Sequence, residues 1–292
     1  MQRSACGRKY SYGTVLATVT VLLAFCLGVE PAYGRDAHTG KKTLMLATTT
    51  SVDATGLLDL LAPRFRQKTG IRLRWVAVGT GQALVLARDG NADAVIVHAR
   101  QLEDAFLREG YGVNRRVFAR NHFLLVGPAS DPAGVAKSKS ILDALRAIEM
   151  SGATFVSRGD SSGTHTREKA LWKAAGGAPK RAYLETGQGM AQTLRVANEK
   201  QAYTLSDSAT FFGLPDLSGL KPLFAEGDEL ENIYSVIVVN PYKVKSARYE
   251  QAMAFTAFLT GPEGQALIDG FITDGRQLFE PVADVPAIDL DK

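Results

Sequence analysis

Three short stretches hold most of the side chains able to do chemistry: Thr48-Thr49-Thr50-Ser51, Gly79-Thr80-Gly81-Gln82 and Ser157-Arg158-Gly159-Asp160-Ser161-Ser162-Gly163-Thr164. Each is rich in hydroxyls or glycine, and the third adds a permanent cation, Arg158. Hydroxyls and the unpaired N–H groups of a helix start are hydrogen-bond donors, and a helix start also carries a partial positive charge. Three such stretches brought together would favour an anion. For any one of them alone the competing reading is that Ser51 or Ser162 only caps a helix.

Other chemistries have weaker support. Gly159-Asp160-Ser161-Ser162-Gly163 fits the G-x-S-x-G spelling of a hydrolase elbow, with Ser161 as nucleophile, so a secreted serine hydrolase is the alternative from another class. A triad would need a histidine and an acid on Ser161, and His165 follows it too closely to act as a conventional base. The histidines, His38, His98, His122 and His165, stand singly, and the two cysteines, Cys6 and Cys26, lie near the N-terminus, so no metal-site spacing is present. Gly79-Thr80-Gly81 lacks the third glycine of a dinucleotide fingerprint. His98 ends an apolar strand and reads as a hydrogen-bonded structural residue. Arg115-Arg116 reads as one side chain in solvent and one in a local pair, and Trp75 and Trp172 as packed aromatics.

The elements that must position these stretches follow from hydrophobic periodicity. Thr43 to Ala47 is strand-like, and Leu57, Leu58, Leu61 and Phe65 share a helical face that Gly70 closes. Ile71 to Val78 reads as a strand, Ala83 to Arg88 as a helix and Ala92 to Val97 as a buried strand, an order that predicts a parallel sheet covered by helices. Further on, the pattern gives a strand at Phe123 to Val126, a helix over Ile141 to Ile148, a strand at Thr154 to Ser157 and a helix from Ser162 to Lys173. Ile233 to Val239 is a β-branched strand, with helices over Arg248 to Leu259 and from Pro262. The fold class expected is α/β with two lobes: lobe I from 42–122 and 240–292, lobe II from 128–232, and hinge strands at 123–127 and 233–239. In such a fold the three turns face one interlobe crevice.

The chain has 292 residues, 46% apolar and 22% charged, an ordinary globular composition. Its net charge of +4 falls to +2 without Arg3, Arg8, Lys9 and Glu30, too little and too dispersed for a nucleic-acid footprint. Those residues flank an apolar run from Thr14 to Val29, followed by Pro31, Ala32 and Gly34, the pattern of a secretory signal peptide over 1–34 cleaved near Gly34. The run is shorter than a spanning helix needs. Bulky Phe25 before Cys26 argues against lipidation, and the mature chain from Arg35 has no thiol.

Ala47 to Ser51, Val78 to Ala83, Glu109 to Arg116 and Phe155 to His165 together resemble the TupA type of periplasmic tungstate-binding protein, the solute receptor of a bacterial ABC transporter. The resemblance covers essentially the whole mature chain. It implies a type II periplasmic-binding fold with an interlobe anion site, residence in the periplasm, a permease and its ATPase as partners, a monomer, no cofactor, no resident metal, no enzymatic activity and no nucleic acid. Carried onto matching positions, it implies ligand contacts from Thr49, Thr50, Ser51, Thr80, Gly81, Arg158, Ser162, Gly163 and Thr164. Val52-Asp53 replaces the family's usual residues after the Thr-Ser turn and leaves the role of Asp53 open. Tungstate at neutral pH is a deprotonated dianion and asks only for donors, whereas phosphate keeps a proton and gains from an acceptor. Asp160 is the acid nearest the donor turn, so a phosphate or molybdate receptor is the alternative within this class.

Overall fold

The computed structural model describes residues 42–273 and 275–283. The expected signal peptide, with Cys6, Cys26 and also His38, lies outside them. The described residues form one compact unit.

Its first half starts with β1 (Thr43–Thr49), which runs straight into the short α1 (Thr50–Ala54). Then come α2 (Leu57–Thr69), β2 (Arg72–Val78), α3 (Thr80–Arg88), β3 (Ala94–Val97) and α4 (Arg100–Arg108). The second half contains α5 (Ile141–Ser151), β5 (Phe155–Ser157), α6 (Gly163–Ala175), β6 (Tyr183–Glu185), α7 (Met190–Lys200), β7 (Thr204–Asp207), α8 (Ser208–Gly213) and β8 (Leu220–Phe224). The long strand β4 (Gly112–Pro128) leads into this half, β9 (Glu231–Val239) leads back, and α9 (Tyr249–Thr260) and α10 (Pro262–Asp269) follow.

β1 pairs in parallel with β2 and β3, as the strand–helix alternation predicts. Beyond β3 the sheet is mixed, because β9 and then β4 join it antiparallel. The parallel expectation holds for the three strands it was drawn from, and β9 departs from it because it enters from the second half through a pairing distant in sequence. Strand β9 also lies inside the first sheet, between β3 and β4, so the residues expected as a hinge at 233–239 are sheet interior. Leu230 belongs to the second half's core and Tyr234 to the first's, which puts the return crossing at the start of β9.

Both faces of this sheet are covered, and the strands show it by alternation. Leu44, Leu46, Ile96, Val236 and Val238 pack with Leu58, Leu61 and Phe65 of α2 and Phe255 of α9. Ala47, Val95, Val97, Ile237 and Val239 point the other way, onto Leu84 and Phe106 of α3 and α4. In the second half β4 repeats the device, sending Phe123 and Leu125 toward Trp172 and Phe155 and sending Leu124 and Val126 toward Met190 and Leu194. Trp172 is fully buried, edge-on to Phe155 at 5.2 Å, and Trp75 is half-buried against the first core, as expected of packed aromatics. Arg115 pairs with buried Glu103 at 2.8 Å, while Arg116 is exposed, matching the expected division of that arginine pair.

Candidate functional site

The carboxyl ends of β1, β2, β3 and β5 carry the chemistry. Where β1 runs into α1, the Thr49 hydroxyl accepts the Val52 N–H at 3.2 Å, so Thr49 rather than Ser51 caps that turn. Thr49 and Ser51 hydroxyls are 3.0 Å apart, and Ser51 lies 3.2 Å from Nε2 of His98, which follows β3. Thr48 donates to the Ile96 carbonyl and is structural. Asp53 accepts the Trp75 indole N–H at 2.6 Å at the surface, which settles its partner.

In the second half the turn after β5 folds back through two residues in the left-handed region, Gly159 (φ 62°) and Ser161 (φ 57°). A Cβ on Gly159 would also sit 2.8 Å from the Cβ of Glu185, so glycine is required there on two counts. The fold-back brings Asp160 onto both Arg158 Nη2, at 2.5 Å, and the Ser162 N–H, at 3.2 Å. Ser162 caps α6 by accepting the His165 N–H, as its simpler reading anticipated. His165 Nδ1 accepts the backbone N–H of Ser161 at 3.0 Å, and the Ser161 side chain is exposed. His165 is therefore tied through Nδ1 to the backbone of its own turn.

These turns meet. A Cβ on Gly163, at the start of α6, would lie 2.9 Å from Cε1 and 3.0 Å from Nδ1 of His98, so only glycine lets the helix backbone approach that ring. Gly79 stands 3.5 Å, from where its Cβ would be, to the Asp160 carbonyl, which brings the start of α3 against the Arg158 turn. Gly189, before α7, faces the Thr50 hydroxyl in the same way at 3.6 Å. Thr49, Ser51, Thr80, Arg158, Ser162 and Thr164 are all buried, and Thr50 is half-buried. Gly81 occupies the first turn of α3, where N–H groups have no partner within the helix, and Gly79 supplies no side-chain cap.

Within this cluster the buried Thr80 Oγ1, Arg158 Nε and Thr164 Oγ1 have no hydrogen-bond partner among the described residues. A buried donor left unpaired costs about 1–3 kcal/mol, so three such groups, Thr80 at the start of α3, Arg158 from the turn before α6 and Thr164 at the start of α6, form a set of donors suited to a shared acceptor. His98 adds a different property. Asn232 Nδ2 donates to Asn121 Oδ1 and to the Tyr234 hydroxyl, so its Oδ1 turns to His98 Nδ1 at 2.8 Å and Nδ1 carries the ring proton. Burial pulls the ring's pKa down to about 4 against the bond to Asn232, and Arg158 and Arg167 act in the same direction as burial. The neutral ring thus presents an acceptor, Nε2, to Ser51. The lining is not made of donors alone.

Sequence reasoning missed the role of His98, because its partner Asn232 is 134 residues away. It also passed over the start of α7, although Gly187-Gln188-Gly189 before an apolar helix repeats the signal of Gly79-Thr80-Gly81. No group of three or more possible metal ligands occurs among the described residues.

Two sets of strands and helices whose helix starts, hydroxyls and buried arginine meet at the strand ends fit the periplasmic-binding-protein class. A family model described as a PBP superfamily domain matches residues 36–263. The tungstate-binding protein TupA of Peptoclostridium acidaminophilum is 38% identical over 282 residues, covering 94% of this chain and 99% of its own. Among solved structures, the tungstate ABC transporter protein from Geobacter sulfurreducens is 46% identical with a TM-score of 0.72, covering 77% of this chain and 97% of its own. TupA from Desulfovibrio alaskensis G20 is 44% identical with a TM-score of 0.70, covering 83% and 99%. The chain belongs to the PBP superfamily and, within it, to the family of TupA tungstate-binding proteins.

Proposed function

We propose that this chain is the extracytoplasmic solute-binding component of an ABC importer and that it binds tungstate between its two halves. The observation that carries this reading is the trio of buried, unpartnered donors, Thr80 Oγ1, Arg158 Nε and Thr164 Oγ1, beside the starts of α3 and α6. Thr49, Thr50, Ser51, Gly81, Ser162 and Gly163 complete the contacts. A tetrahedral dianion with no proton of its own matches such donors, and a guanidinium strengthens each bond by its charge. The chain works as a monomer in the periplasm, released from a signal peptide near Gly34, and delivers the anion to a permease driven by its ATPase. The relatives named for tungstate support that ligand over molybdate, which has nearly the same size and charge.

Asp160 bears on the phosphate alternative. One of its oxygens accepts from Arg158 and the other from the Ser162 amide, so it is occupied in holding the turn. With Asp160 occupied and the remaining acceptor, His98 Nε2, bonded to Ser51, the proton that phosphate keeps would go unpaired at a cost of roughly 1–3 kcal/mol. Titration calorimetry against tungstate, molybdate, sulfate and phosphate tests the reading. Tungstate and molybdate are expected to bind, and each should reduce the radius of gyration in solution scattering, since an anion touching both halves favours their approach. Compaction by micromolar phosphate would replace tungstate with phosphate. Ser161 should resist serine-directed phosphonates, and stoichiometric labelling there would revive the hydrolase alternative.

A further inference from the structure

His98 joins the pocket to the two strands that cross between the halves. Its Nε2 meets Ser51, its Nδ1 meets Asn232, and Asn232 is cross-strand partner to Asn121 on β4. Asn232 cannot turn over without losing its bonds to Asn121 and Tyr234, so Nδ1 keeps its proton and only Nε2 is free to change. Without an anion the protons run from Thr49 to Ser51 and from Ser51 to Nε2. An anion oxygen beside Ser51 would draw the serine proton to itself, leaving Nε2 buried against an oxygen lone pair with nothing between them.

We propose that the pocket takes up one proton together with its oxyanion, at Nε2 of His98, so that the ring reverses from accepting the Ser51 proton to donating to the Ser51 oxygen. This rests on the oxyanion reading of the same pocket. One N–H bond forms, its proton comes from solvent, and no other covalent bond changes. The resulting chain runs His98 Nε2–H to Ser51 Oγ and Ser51 O–H to the anion, with every member paired.

The charges around the ring set the direction of the effect. Arg158, from the turn after β5, and Arg167, from α6, both oppose a charged ring, as does burial. Tyr234 of β9 stacks on it at 4.8 Å with its hydroxyl held by Asn232. The neighbours from β4 and α1, Phe123, Asn121 and Ser51, carry no charge. An anion bound against Arg158 offsets the nearest opposing charge and attracts a proton to the ring. By linkage, affinity then rises as pH falls below the ring's pKa in the complex, by up to about tenfold per pH unit, and levels off below the ring's empty-state value of about 4.

Calorimetry of the full-length mature protein at about pH 6, in two buffers of different protonation enthalpy, counts the protons. Sodium tungstate and sodium sulfate are the probes, since sulfate does not itself titrate in this range. Binding heat should depend on the buffer with the sign of proton uptake, and the His98 Nε2 resonance in nitrogen NMR should move from the unprotonated to the protonated position. His98→Gln, which can face Ser51 but cannot titrate, should show neither change. Binding without uptake, an unmoved Nε2 resonance, or equal uptake in His98→Gln would overturn the proposal. The NMR readout needs no variant. Absence of binding by both anions would overturn the oxyanion reading, and this proposal with it.

Discussion

Arg158→Ala is expected to weaken oxyanion binding by about 2–5 kcal/mol, the cost of removing one partner of a buried charge pair, which is roughly 30- to 5,000-fold in Kd. The side chain is 1% exposed, and its Nε has no partner among the described residues, so water cannot take over its role. Its Nη2 is held by Asp160, which fixes the fork before the ligand arrives. Arg158→Lys should lose less, because it keeps the charge and gives up the fork. Calorimetry measures both variants, with circular dichroism as a check that the fold survives. An alanine variant with unchanged affinity and intact fold would move the site elsewhere.

Glu168→Gln should change how stability depends on pH. Glu168 is buried on α6 and accepts the hydroxyl of Tyr183, and burial raises its carboxyl pKa from 4.5 to about 7. The folded chain therefore binds a proton there more tightly than the unfolded chain. Stability from this group is complete below pH 4.5 and is lost as pH rises through about 7, by roughly 3 kcal/mol at most. Glutamine never ionises, so the variant should lack that decline. Urea unfolding from pH 4.5 to 8 checks it: the difference between the two proteins isolates Glu168 from the other titrating groups. Parallel stability curves would show that the carboxyl is charged throughout.

The local elements were legible in the sequence because apolar periodicity dictates them. Leu57, Leu58, Leu61 and Phe65 specify α2, and Gly70 ends it with φ 72°. The turns at Thr49, Thr80 and Arg158 were legible for a similar reason, since hydroxyls and glycines between a strand and a helix have few other uses. The direction of β4 and β9 was not legible. The apolar run at 123–126 and the β-branched run at 233–239 read as strands, but the antiparallel pairing of β4 with β9 joins residues more than a hundred apart. The same limit hid the Ser51–His98–Asn232 chain, in which three unremarkable residues acquire meaning only once β1, β3 and β9 lie side by side. Asp160 could be seen near the donors, but not that it faces Arg158, because that depends on the left-handed turn at Gly159 and Ser161.

β4 contributes to both cores without a break across its 17 residues, roughly 55 Å of backbone. A joint of that kind has no slack loop. Any rotation of one half against the other must be spread as torsion along β4 and β9 while their ladder stays bonded, so the halves can twist or tilt but cannot drift apart. The same continuity makes the spacing unforgiving. One residue inserted near Asn121 would exchange the two sides of the strand beyond it, turning Phe123 and Leu125 onto the α7 side and Leu124 and Val126 onto the Trp172 side. Such an insertion would unmake the second core while leaving every residue of the anion pocket in place in the sequence.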